Sequence, residues 1–432
     1  MSNPKPIIIL SYFFPPCNLT PSERVFSWAK YLKKANYYPI IITRNWDVNI
    51  LNATTDVYKP SGKKVVVETH QDYEVHYIPY QQNLKDKLFN KYYGKSLYPI
   101  YLMMAFIWHI LQLPFIRLSS VHSISQYANK LLSEKKNIYA IIATVAPFEL
   151  LGVAHQLSKK YNVQWIADYR DDWSTNEMQY VDSFPKRILR KYNSFYETRW
   201  LKNVSFIISV SEYYVQKLSK FSHKKGILVE NGFEIPENII ANSLFDKFTI
   251  TYLGSLYTSQ NIEMFLDVYK HFIDLGNKNI QLIFVGLGSE PPIRKRIESY
   301  MNGYEPYYTI TSRISKKEAL ELQLKSHLLL AVSYGDKKGI PSSKLYDYIA
   351  TKKRVLICPS DSDVIEDTLS LTKQGIVCNS PGEILHQLNA LYYLFTKNEL
   401  NDSISIPPHV YNKFSREFQT NNLIIGLNTL NS

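Results

Sequence analysis

The feature that most constrains this chain is a repeated alternation of short apolar runs, each bounded by turn residues, with longer amphipathic stretches. In the first half the runs stand at Pro6–Ser11, Pro39–Thr43, Val65–Val67, Val75–Ile78, Tyr139–Thr144, Val163–Ala167, Phe206–Val210 and Ile227–Val229. This pattern reads as strands alternating with helices around a parallel sheet. After Asn231-Gly232 comes a charged stretch, Glu237 to Lys247, read as a linker, and then the alternation restarts. Its second set of runs is Thr249–Leu253, Gln281–Val285, Tyr308–Thr311, Leu328–Ser333, Arg354–Cys358 and Ile376–Cys378. The expected fold is therefore α/β, with two doubly wound, Rossmann-like parallel-sheet domains facing a central cleft. Ligands of open parallel sheets bind outside the strand C-terminal ends, so that cleft is where a site is expected. The domains are placed at residues 1–235 and 236–405. Residues 406–432 form a closing segment with one helix from Tyr411 to Leu430, expected to pack back on the first domain.

Composition narrows the function. The 432 residues leave room for two or three domains, and 45% apolar with 20% charged residues exclude a fibrous or largely disordered protein. Cys17, Cys358 and Cys378 have neither disulfide nor metal-ligand spacing and read as reduced thiols. A net charge of +12 favours anionic partners. Nucleic acid is excluded as the favoured one, because no basic helix with interleaved aromatics is present. The first apolar run, Ile7–Leu10, is too short for a secretory signal, so a cytoplasmic protein is expected.

Four blocks carry recognisable chemistry. The first strand runs into Ser11-Tyr12-Phe13-Phe14-Pro15-Pro16, followed by Asn18 and by Arg24 in a helix that starts near Pro21. The strand Trp165-Ile166-Ala167 runs into Asp168-Tyr169-Arg170-Asp171-Asp172-Trp173. Val229-Glu230-Asn231-Gly232-Phe233 lies between the domains, and Gly339-Ile340-Pro341-Ser342-Ser343-Lys344-Leu345-Tyr346-Asp347-Tyr348 opens a helix near the end of the second. In order and spacing this set resembles the glycosyltransferase family 4 type of GT-B sugar transferase, especially bacterial members that build surface polysaccharides.

Asp168, Arg170 and Asp171 are expected just past a buried strand, where three charges in four residues cost desolvation unless paired or functional. One reading makes them catalytic, with an acid touching the transferred sugar or the acceptor; the other makes Arg170 and a carboxylate a brace for the loop. Many family members carry a His after this strand, whereas none occurs here between His155 and His223. At the second site, Ser342, Ser343 and Lys344 start a helix whose free amides suit a nucleotide diphosphate, and Lys344 would neutralise the leaving phosphate. The resemblance implies that Pro341 shapes this donor site and that Asp347 takes the place of a Glu that holds the ribose. The family's other carboxylate is replaced by Gly339. Gly254, Tyr257, Gly286 and Gly288 sit in loops where the family binds donor phosphates, and Arg313 where it grips the base. The glycines are equally explained by tight turns. Arg24 and Asn18 are the acceptor-side candidates, Arg24 being open between a phosphate contact and a solvated helix residue.

Ser96 to Ile116 contains no formal charge and is flanked by Lys85, Lys87, Lys91, Lys95 and Arg117. Between Pro99 and Pro114 a helix reaches about 21 Å, short of a bilayer core of about 30 Å. A spanning helix is therefore the least favoured reading, behind an interfacial segment, with Trp108 and Tyr101 at headgroup depth on acidic lipid, and a buried helix.

The expectation is a metal-independent, retaining glycosyltransferase with no cofactor. It would act peripherally on the inner face of the cell membrane, moving a sugar from a nucleotide-diphosphate sugar to a lipid-linked or other glycan acceptor. A nucleotide-sugar 2-epimerase and a non-catalytic scaffold of the same fold are the rivals. Asp361-Ser362-Asp363 has the spacing of a metal motif but falls in a loop, and no metal site is assigned.

Overall fold

The computed structural model describes residues 3–46, 55–176, 183–236, 243–335, 337–401 and 403–431. By compactness the chain forms two units, one of residues up to Glu230 together with those from Gln419 onward, the other Asn231–Phe418.

The first unit holds strands β1 (Lys5–Leu10), β2 (Tyr37–Arg44), β3 (Val66–Thr69), β4 (Glu74–Ile78), β5 (Ala140–Val145), β6 (Gln164–Tyr169), β7 (Phe206–Ser209) and β8 (Gly226–Leu228). They form one sheet in the order β3-β4-β2-β1-β5-β6-β7-β8. Only the β3–β4 pair at the edge is antiparallel. Alternate residues feed two cores, as the period of two in a strand requires. Ile8, Leu10, Ile141, Ala143, Trp165 and Ala167 face one. Ile7, Ile9, Ala140, Ile142 and Ile166 face the other, covered by Val25 and Trp28 of the helix Pro21–Tyr31. Leu423, Ile424 and Leu427 of the C-terminal helix join this second core.

The second unit holds β9 (Phe248–Leu253), β10 (Ile280–Val285), β11 (Tyr308–Ile310), β12 (Leu328–Ala331), β13 (Val355–Ile357) and β14 (Gly375–Val377), all parallel, in the order β11-β10-β9-β12-β13-β14. Every strand read from the sequence is present, with ends shifted by one or two residues.

The closing segment differs from the reading of one helix over Tyr411–Leu430. Two helices, Pro408–Lys413 and Arg416–Asn428, are separated at Phe414 and Ser415. Here the backbone pairs with Phe233 instead of continuing a helix: the Phe233 amide donates to the Phe414 carbonyl at 3.0 Å and the Arg416 amide to the Phe233 carbonyl at 2.9 Å. A Cβ at Gly232 would lie 3.0 Å from that Phe414 carbonyl oxygen, at a φ of +64°, so the Asn-Gly-Phe turn needs its glycine. This pairing draws Asn231–Phe233 into the second unit. The expected linker, Glu237 to Lys247, lies partly outside the described residues.

Candidate functional site

In the second unit the donor-site candidates gather at the strand C-terminal ends. The helix Ser343–Thr351 starts there with no side chain capping its first turn, Pro341 being buried and Ser342 and Ser343 half-buried beside it. Lys344 is the best-defined group. Its ammonium donates to the Tyr252 hydroxyl at 2.5 Å and to the Ser255 carbonyl, and it lies 4.2 Å from the centre of the Tyr252 ring. Tyr252 is fully buried at the end of β9, and its own hydroxyl donates to the Ser255 carbonyl at 2.9 Å. Lys344 makes no ion pair among the described residues. Burial pushes its pKa down to about 7, and the charge of Glu290 only partly opposes that. Behind the lysine a cavity of about 20 Å³, lined by Gln260, Val332, Tyr334 and Tyr348 among others, has room for about one water.

The loops around it are built on glycines. Gly254, at φ +73°, would bring a Cβ within 3.3 Å of Lys344 Cε, and Gly286, at φ +96°, stands against Gly254. A Cβ on Gly288 would meet the Ser312 amide nitrogen and the Thr311 carbonyl oxygen at 2.9 Å. Neighbouring backbone thus accounts for Gly288, and the left-handed φ accounts for Gly254 and Gly286. Ser255 donates to Glu290 at 2.5 Å, and the Arg313 amide donates to Ser289 at 3.0 Å. Tyr257 is exposed, its ring 5.7 Å from Tyr334; Arg313 and Asp347 are half-buried. Tyr252, Ser255 and Glu290 are site residues that motif reading missed. An aromatic near the end of β9, two residues before Gly254, was the available signal.

The Asp361-Ser362-Asp363 motif serves the backbone. Asp361 accepts from the amides of Ile365 at 2.8 Å and Glu366 at 3.1 Å, which starts the helix Val364–Leu371, and Asp363 accepts from Gly339.

In the first unit two expectations are corrected. Asp168 is not past the strand but within β6, on the face turned to the helix Pro21–Tyr31, and it is fully buried. Its partner is Arg24, not Arg170: Arg24 Nη2 donates at 2.8 Å and Nε at 3.1 Å. Thr144, opposite Asp168 in register, donates its hydroxyl at 2.6 Å. Arg24 is 3% exposed, and its Nη1 donates to the carbonyls of Val229 at 2.7 Å and Glu230 at 3.0 Å. Arg24 is thus neither solvated nor held out to a phosphate. It ties the first helix, β6 and the chain after β8 together.

Arg170 is half-buried and donates to the Val145 carbonyl at 3.1 Å, while Asp171 and Asn18 are exposed. Asp172 is buried against Lys217 at 2.9 Å. Nearby, the buried Glu197 accepts from Tyr169 at 2.8 Å and from the Ser174 amide at 3.0 Å, and burial pushes its carboxyl up to about 7.

The charge-free segment forms a helix, Tyr98–Gln112, with Ile100, Met103 and Ile107 each at least half exposed. Tyr101 is buried, and Trp108 donates its indole N–H to the Leu118 carbonyl at 3.1 Å, so neither occupies the expected headgroup position. Beside it runs the helix Phe184–Leu201, joined through Tyr192 to the Ile110 carbonyl at 2.5 Å and through Asn193 to His109 at 2.7 Å. Phe184, Ile188 and Phe195 are exposed there among Lys186, Arg187, Arg190 and Lys191, a feature the sequence reading did not single out. No helix among the described residues is long and apolar enough to cross a membrane.

The fold is shared along its length with solved structures. Sucrose-phosphate synthase from Thermosynechococcus elongatus is 16% identical over 99% of both chains, with a TM-score of 0.64. The catalytic domain of starch synthase IV from Arabidopsis thaliana, bound to ADP and acarbose, is 12% identical over 99% of both chains at 0.63. HepE from Anabaena, in complex with UDP and glucose, is 12% identical over 98% of this chain and 100% of its own at 0.59. The chain has the GT-B fold. At these identities the likeness concerns the fold alone. No protein-family model matches the sequence, and no curated protein does.

Proposed function

We propose that the chain is a glycosyltransferase that takes a sugar from a nucleotide-diphosphate sugar, with Lys344 as the donor-phosphate group. The observation that carries this is a half-buried lysine packed on Tyr252 at a strand C-terminal edge that forms no ion pair among the described residues. Burying a cation without an anion is costly, and a diphosphate at the uncapped helix start supplies the missing charge. The UDP and ADP bound in structures of the same fold support a nucleotide donor.

Lys344 binds the diphosphate through its ammonium, and its attraction grows as negative charge builds on the leaving group, which favours the transition state over the ground state. Ser342 and Ser343 orient phosphate oxygens, Asp347 and Arg313 the nucleoside. Asp171 and Arg170 remain as acceptor-side groups, since Asp168 is spent on Arg24. In keeping with the resemblance, transfer proceeds with retention and without an obligatory metal or other cofactor.

The acceptor is a lipid-linked glycan of surface-polysaccharide synthesis, reached at the cytoplasmic face of the membrane. The exposed apolar helix Tyr98–Gln112 and the basic, apolar helix Phe184–Leu201 support docking on an anionic bilayer. A thermal-shift panel of UDP, ADP and GDP tests the donor reading. At least one should raise Tm in wild type and not in Lys344→Met; equal shifts in both would move the phosphate site elsewhere.

A further inference from the structure

A second concavity lies in the first unit, where the apolar helix ends. Leu113 is buried, Pro114 stops the helix, and a tight turn over Ile116–Leu118 leads to the helix His122–Glu134. Between these elements and Gln156 of the helix Glu149–Tyr161 opens a pocket of about 420 Å³, lined by Pro114, Phe115, Arg117, His122 and Ser125 as well. That is large enough for a small polar headgroup.

Its chemistry is one-sided. From Lys87 to Ser133 the sequence contains no Asp or Glu. Arg117 is exposed, forms no ion pair among the described residues, and has only the Phe115 ring, 5.6 Å from its Cζ, beside it. His122 and Ser125 sit one turn apart on one helix and, with Gln156, add hydrogen-bond donors to the same wall. The rim is apolar: Phe115 and Leu111 are both exposed, continuing the row that begins at Ile100. A guanidinium and hydrogen-bond donors within a pocket, with exposed hydrocarbon at its mouth, match an anion attached to hydrocarbon.

We infer that this pocket binds the phosphate of an anionic bilayer phospholipid, with Arg117 and His122 on the phosphate and Ser125 and Gln156 on the polar headgroup. The inference rests on the membrane-docking part of the proposed function but not on the donor site. It makes docking selective for headgroup phosphate rather than a matter of net charge alone.

Vesicles of phosphatidylcholine, with or without about one-third phosphatidylglycerol, separate headgroup recognition from bulk electrostatics. The variants are Arg117→Gln with His122→Gln, and Lys159→Gln, which removes a charge on the helix Glu149–Tyr161 outside the pocket. The pocket variant should lose about ten-fold or more in affinity for the anionic vesicles, with unchanged Tm and an unchanged response to UDP. Lys159→Gln should lose no more than about five-fold. Equal losses in the two variants would overturn the pocket. Dihexanoyl-phosphatidylglycerol below its micellar concentration tests the pocket without a membrane: it should stabilise wild type and not the pocket variant. If wild type ignores vesicles yet responds to this lipid, the docking face fails and the pocket stands. If neither binds, or inorganic phosphate stabilises as well as the lipid, the inference is wrong.

Discussion

Each unit of this molecule holds a cation at the C-terminal side of a parallel sheet, Arg24 buried and Lys344 half-buried, and the two are treated in opposite ways. Arg24 has a carboxylate, a supporting threonine and two carbonyls, so its charge is answered inside the fold. Lys344 has a phenol, a carbonyl and the face of a ring, and among the described residues no carboxylate pairs with it, the charge of Glu290 only partly offsetting its burial. A paired buried ion holds structure, because removing either partner strands the other. An unpaired one is a vacancy for an anion. The comparison places Asp168 in the framework of the first unit and supports the proposal that Lys344 receives an anion in the second.

The largest effect should come from breaking the paired ion. Asp168→Ala strands Arg24 and should cost about 3–5 kcal/mol in chemical denaturation. Replacing both residues, Arg24→Met with Asp168→Leu, should recover most of it. An Asp168→Ala protein with an unchanged denaturation midpoint and no activity would instead make Asp168 a chemical group.

The next effect is on turnover. Lys344→Ala should lower sugar transfer by about 10²-fold while the protein stays folded, because charge stabilisation of the leaving diphosphate is lost. Activity within two-fold of wild type would show that Lys344 is as structural as Arg24.

Stability sharpens the contrast with a sign. The pKa of Lys344 is about 7 in the folded chain against 10.5 as the ordinary value. Between these values the unfolded chain binds more protons, so this residue makes stability rise with pH across that window, and its full penalty applies below pH 7. Lys344→Met should therefore melt a few degrees above wild type at pH 6, the gap closing towards pH 10. A variant melting below wild type at pH 6 would mean that packing outweighs the charge.

How far the sequence revealed this follows from the range of each interaction. Strands such as Ile7–Leu10 and Leu328–Ala331 announce themselves in a few consecutive residues, and both sheets were legible. The helix Ser343–Thr351 was legible too, since Pro341 to Lys344 is a local signal. The partners were not: Arg24 meets Asp168 across 144 positions and Lys344 meets Tyr252 across 92. The break at Phe414 was hidden because Phe233, not anything in the helix pattern, causes it. Trp108 misled for the same reason, its indole being taken by Leu118 rather than a headgroup.

A smaller effect belongs to the exposed face of the helix Tyr98–Gln112, where neither cation is involved. Met103→Ser with Ile107→Ser should weaken cosedimentation with anionic vesicles several-fold and leave Tm unchanged, because both side chains are more than half exposed. A drop in Tm with no change in vesicle binding would make this face part of a protein interior.

The central claim is that Lys344, its pKa pushed down to about 7, is the group that receives the diphosphate, and calorimetry tests it directly. UDP, or whichever of UDP, ADP and GDP stabilises the protein most, is titrated at pH 8.5 in two buffers of different ionisation enthalpy. Binding should draw about one proton per nucleotide from the buffer, because the diphosphate raises the lysine's pKa above the working pH. Lys344→Met should bind more weakly and take up none. A heat of binding independent of buffer, with the same affinity in wild type and Lys344→Met, would contradict the account.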